Sequence, residues 1–171
     1  MIRARSRIGA LALAAVAMAM AACYDSAVPL DPVAQTDMDP ALVGTWRCLP
    51  ANPSATDEPA TLTVSRASNR MFAVTFQEGN PPPDRYEAHA SLVKGRPLVN
   101  LRDLSVDNRK PWSFVRYELL RPNLLLLQMV DADALKSVEA SPDALRKSIE
   151  RLTGQASLYV DCCVCVRQKQ D

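Results

Sequence analysis

Thr61-Leu62-Thr63-Val64-Ser65-Arg66 and Met71-Phe72-Ala73-Val74-Thr75-Phe76-Gln77 decide the fold. In the first, Leu62 and Val64 share one face, and Thr61, Thr63 and Ser65 the other. In the second, Phe72, Val74 and Phe76 stand against Ala73, Thr75 and Gln77. Successive side chains of a strand point to opposite sides, so a period of two marks a strand with one buried face. The short polar Ser68-Asn69-Arg70 joins the pair as a hairpin.

Working outward, the pattern recurs. Gly79 to Asp84 reverses the chain through three consecutive prolines, Pro81 to Pro83. Tyr86, Ala88, Ala90 and Leu92 then face inward, with Arg85, Glu87, His89 and Ser91 outward, so His89 reads as a solvated surface residue. Lys94-Gly95-Arg96 turns the chain into Leu98 to Leu101, and a charged loop spans residues 102–111. Trp112 to Leu120 and Leu124 to Val130 form a second hairpin around Arg121-Pro122-Asn123. Upstream, Asp39-Pro40 opens a capped turn before a first strand, Gly44 to Leu49, and residues 50–59 make a proline-rich loop.

After Val130 the period changes. Residues 131–140 and 141–154 carry helical signals, with Ser141 as N-cap, Pro142 at the first position and Gly154 at the stop. Leu145, Ile149 and Leu152 make one apolar stripe. Leu158 to Val166 is the last strand, with Leu158, Val160, Cys162, Val164 and Val166 as its apolar face. The chain is therefore mainly β: an eight-stranded antiparallel barrel over residues 40–171, with two short helices before the last strand. Closure removes the exposed edges that invite aggregation.

Gly44-Thr45-Trp46 after a short turn, together with the strand count, resembles the Gly-x-Trp opening of lipocalin-like barrels. That resemblance implies an arginine late in the last strand, packed over the tryptophan; Arg167 is the residue in place. Strand parity counted from Leu158 puts Arg167 on the face opposite the apolar one, so the two expectations conflict.

The N-terminus gives an address. Arg3, Arg5 and Arg7 precede an uncharged run from Ile8 to Ala22. A positive start, an apolar core shorter than the roughly 20 residues of a spanning helix and small residues at the end describe a secretory signal. Met20-Ala21-Ala22-Cys23 resembles the lipobox of bacterial lipoproteins. The resemblance implies cleavage after residue 22 and acyl chains on Cys23 as the attachment to the membrane. Residues 23–39 read as a flexible lipidated tether. Asp25 stands one place later than the inner-membrane retention position, which places the protein at the outer membrane, facing the periplasm.

Cys48, Cys162, Cys163 and Cys165 remain after the anchor. An exported compartment is oxidising, so a disulfide is expected. First and last strands of a closed barrel are neighbours. Cys48 shares a face with Trp46, and Cys162 lies on the apolar face, which predicts Cys48–Cys162 with Cys163 as the next candidate partner. A metal site is not expected, because alternation along one strand keeps Cys162, Cys163 and Cys165 from converging on one ion.

The chain carries 20 Lys+Arg and 19 Asp+Glu, and no basic patch dense enough for nucleic acid. Motifs of nucleophile elbows, zinc proteases and phosphate loops do not occur, so no enzyme, catalytic residue or cofactor is expected. Two readings stay open. In one, a tethered module binds an envelope protein, presenting the proline turn at 81–83 or the loop at 103–111. In the other, the barrel carries a small hydrophobic ligand against Phe72, Val74, Phe76, Tyr86, Ala88, Ala90 and Leu92.

Overall fold

The computed structural model describes residues 24–31, 37–54, 57–105, 111–135 and 141–169. Eight antiparallel strands follow one another around a closed barrel: β1 (Gly44–Pro50), β2 (Ala60–Arg66), β3 (Phe72–Gln77), β4 (Asp84–Val93), β5 (Arg96–Asp103), β6 (Trp112–Arg121), β7 (Leu124–Val130) and β8 (Tyr159–Arg167). β8 pairs back onto β1, with Trp46 opposite Arg167 and Cys48 opposite Cys165. Two helices precede β8: α1 (Ala132–Leu135) and α2 (Pro142–Leu152). Residues 136–140 of the first predicted helix lie outside the described residues, as do residues 106–110 of the charged loop.

The period-two sequences become the inner wall. Leu62, Val64, Phe72, Val74, Ala88 and Ala90 pack with Trp46, Val99, Val115 and Leu125 in one inner cluster. Lys94 and Gly95 both take positive φ, 47° and 75°, in the two-residue turn between β4 and β5. That left-handed pair matches the twist of the strands it joins.

A second core lies outside the wall. Phe114 and Trp112 of β6 and Val93 and Leu98 of the β4–β5 hairpin meet Leu145 and Ile149 of α2, with Leu135, Leu158 and Leu30. The predicted stripe on α2 is thus laid on the barrel, and Ser141 Oγ caps its start by accepting from the Ala144 amide at 3.3 Å. Leu30 belongs to a segment expected to be a loose tether. Residues 24–31 instead form a strap: the Tyr24 amide donates to Val130 O at 3.0 Å, and Ser26 and Trp112 exchange backbone bonds, both 2.8 Å.

Two expectations for β4 are overturned. His89 and Ser91 do point outward, but the strap covers them and both are fully buried. Leu92, expected to face in, is 52 % exposed. β3 accompanies β4 only as far as the Phe72–Ala88 pair, so the β4–β5 hairpin projects past the wall and its inner face there has nothing opposite.

Candidate functional site: the sulfur cluster at the barrel seam

β8 does not keep one parity. Its pairing with β7 shifts between Leu127, opposite Cys163, and Gln128, opposite Asp161. Cys162 is the extra residue of a β-bulge, which interrupts alternation. Beyond it, Cys163, Cys165 and Arg167 face in, and Val166 faces out. The apolar face expected from Leu158 to Val166 is therefore the wrong one for the second half of the strand, where Cys163, Cys165 and Arg167 face in instead of Val164 and Val166.

The disulfide follows from this register. Cys48 bonds to Cys165, with Cα atoms 4.0 Å apart, not to the predicted Cys162 and not to Cys163. Cys162 is half-buried and Cys163 buried, and both are free thiols. The bulge sets their sulfurs 3.2 Å apart. A thiol hydrogen bond from Cys163 pulls the Cys162 pKa down against the opposing effect of burial. Donating that hydrogen pushes the Cys163 pKa strongly up, and burial adds to it. The sulfurs of Cys48, Cys163 and Cys165 all lie within 4.8 Å of one another, and all three residues are buried. Convergence of three sulfurs, which simple alternation forbids, is achieved by taking one of them from β1.

One turn along the seam, Arg167 resolves the conflict between parity and resemblance. Its guanidinium carbon stands 4.1 Å from the centre of the Trp46 ring. Nη1 donates to Val43 O at 2.7 Å and Nη2 to Ala41 O. Trp46 Nε1 in turn donates to Leu42 O at 2.9 Å. Gly44 is obligatory here: its φ is +141°, and a Cβ would come within 2.7 Å of Arg167 Nη1. The Gly-x-Trp pattern is the gap and the platform for that guanidinium.

Of the predicted ligand-lining residues, Phe72, Val74, Ala88 and Ala90 are buried in the inner cluster, Phe76 and Tyr86 are half-buried against it, and Leu92 is out of it. Cys23 and the signal segment lie outside the described residues. Sequence reasoning missed the polar clamp under the strap. Asn100 accepts from the Leu30 amide at 2.8 Å and donates to Ser91 Oγ at 2.8 Å, and His89 Nε2 lies 3.0 Å from Asp31 O. Asp31 also pairs with Arg146 of α2. Burial lowers the His89 pKa, while the Asp31 carbonyl and charge act in the opposite direction. A groove of about 630 Å³ also opens on the outer wall, lined by Arg96, Arg116, Gln128, Gln155 and Tyr159 among others.

No family model, no curated protein and no solved structure matches the chain.

Proposed function

We propose that this protein is a membrane-anchored lipoprotein of the bacterial cell envelope, held by acyl chains on Cys23, whose barrel is a non-catalytic interaction or structural module. The observation that carries the reading is the inner wall itself. Trp46, Phe72 and Leu125 are fully buried against one another's neighbours and the Cys48–Cys165 bridge, so the barrel's own side chains occupy that end of its interior. Function then falls to the outside. Leu49 of β1 and Val166 of β8 are exposed on the outer face on either side of the seam, at 40 % and 48 %. Leu49 lies directly opposite Val164, which continues the apolar strip. Contiguous apolar surface of this kind is where partners dock. The strap sharpens the anchoring argument: Tyr24, next after the acyl-bearing position, is already bonded to the wall, so the barrel would lie close against the bilayer.

One observation favours a second reading. Phe76, Tyr86, Leu101 and Met129 line the inner wall and remain partly exposed, which suits an apolar ligand held near one mouth. Mass spectrometry of the tagged, detergent-extracted protein separates the two. A stoichiometric protein partner supports the module, and a stoichiometric lipid or apolar molecule replaces it with the carrier. The same spectrum reads the acyl mass on Cys23; an unacylated mature chain overturns the anchor and, with it, the outer-membrane placement facing the periplasm.

A further inference from the structure

We propose that the sulfur cluster, once its disulfide is reduced, binds one copper(I) ion between Cys48, Cys163 and Cys165. Two of the three sulfurs, those of Cys48 and Cys165, are joined in the disulfide, and Cys163 Sγ lies within 4.8 Å of both; once the bond breaks, the pair moves apart to take metal–thiolate bonds of ~2.3 Å beside Cys163. The donor set is sulfur alone. The chain's one imidazole, His89, is on the outer wall beneath the strap, bonded to Asp31. Sulfur donors without oxygen or nitrogen select soft cations and reject calcium and magnesium. Three converging sulfurs suit copper(I), whereas structural zinc takes four ligands. Cys162 approaches Cys163 but does not belong to the group of three, so the fourth position is not provided.

The chemistry balances with a dithiol as reductant. Its two sulfurs join as a disulfide, the Cys48–Cys165 bond breaks, and the two electrons and two protons pass to those sulfurs as thiols. Copper(I) then displaces the thiol protons to solvent as the sulfurs coordinate it. The disulfide and the ion occupy the same atoms and exclude each other. Either one ties β1 to β8, because Cys48 comes from one strand and Cys163 and Cys165 from the other. The seam stays joined in both states.

The test uses the full-length protein in detergent, reduced with a dithiol that is then removed without oxygen. Copper(I) is added in competition with a chromophoric chelator such as bicinchoninate. One equivalent should leave the chelator, with a sulfur-to-copper(I) ultraviolet band and three sulfur neighbours by X-ray absorption. The oxidised protein should take none. Cys163→Ser keeps the Cys48–Cys165 bridge and so still folds in oxidised form; reduced, it should bind roughly tenfold or more weaker. Cys162→Ser should bind as the wild type does. The proposal is overturned if the reduced protein leaves the chelator untouched, or if oxidised protein or Cys163→Ser binds equally well. Uptake of several ions per chain also overturns it, as does loss of the strand signal in circular dichroism on reduction that copper(I) does not restore.

Discussion

Arg167 shows how much one side chain carries at the closed end of the barrel. It covers Trp46, reaches two carbonyls of the turn that precedes β1, and needs the missing side chain of Gly44. A stacked cation contributes about 0.5–2 kcal/mol, and each charged hydrogen bond about 1.5–3 before exposure reduces it. Arg167→Ala should therefore lower the unfolding free energy by about 2 kcal/mol in urea titrations, and Arg167→Lys should recover only part, since an ammonium cannot make the fork. Equal stability of all three would remove this residue from the account. His89 acts at the same scale through pH. Its folded pKa lies below the ordinary value near 6.5, so both states are neutral above that pH. Below it the unfolded chain gains a proton that the folded chain refuses, and stability falls as pH drops towards the folded pKa. His89→Gln should remove that component. The wild-type deficit should grow between about pH 7.5 and about pH 5.5 relative to the variant; parallel curves would show that His89 does not contribute.

At the scale of elements, the strap and the bulge of β8 are the two features that set the site. The strap is held by two apolar contacts, Leu30 in the outer core and Tyr24 stacked on Phe114, and by polar bonds at its end to Asn100, His89 and Arg146. Leu30→Ala should cost about 2–3 kcal/mol of strap docking. Hydrogen exchange then reports it: the amides of Ser26 and Leu30 should lose protection while those of β2 and β3 keep theirs, and uniform loss would mean that strap and barrel unfold as one unit. Most of these elements were legible. The alternation of Thr61 to Gln77, the Lys94-Gly95 turn and the cap at Ser141 each act locally, so their residues report them directly. The bulge was not legible, because Leu158 to Val166 reads as one unbroken alternating strand, and only its pairing with β7 shows where a residue is left over. Nor was the strap: Tyr24 to Asp31 has neither period, and its order comes from surfaces far along the chain.

For the molecule as a whole, the seam between β1 and β8 is the contact that turns a row of hairpins into a barrel, and Cys48–Cys165 closes it across 117 residues. A cross-link over so long a loop removes much of the freedom of the unfolded chain, roughly 4–5 kcal/mol in the chain-entropy account. The unfolding free energy from guanidinium titrations should fall by that order with dithiothreitol, and equally in Cys48→Ser and Cys165→Ser. Cys162→Ser should leave the oxidised protein unchanged; a loss there equal to that of Cys165→Ser would restore the pairing first expected. Hydrogen exchange in the reduced protein should rise first in β1 and β8, where the seam opens.

The sequence by itself determined the strand count, the antiparallel order, the position of the helices and the role of Gly44 and Trp46 as the opening of a barrel. Each is written in local alternation, in turn chemistry or in a short motif, and local backbone preference acts wherever the residues stand. Tertiary structure alone decided which cysteine meets Cys48, that His89 is buried, that Leu92 is not, and that Tyr24 to Asp31 is a strap. Those outcomes depend on register across the seam and on what covers a wall from outside. A one-residue shift in pairing reverses every side chain beyond it, and no count along a single strand contains that information.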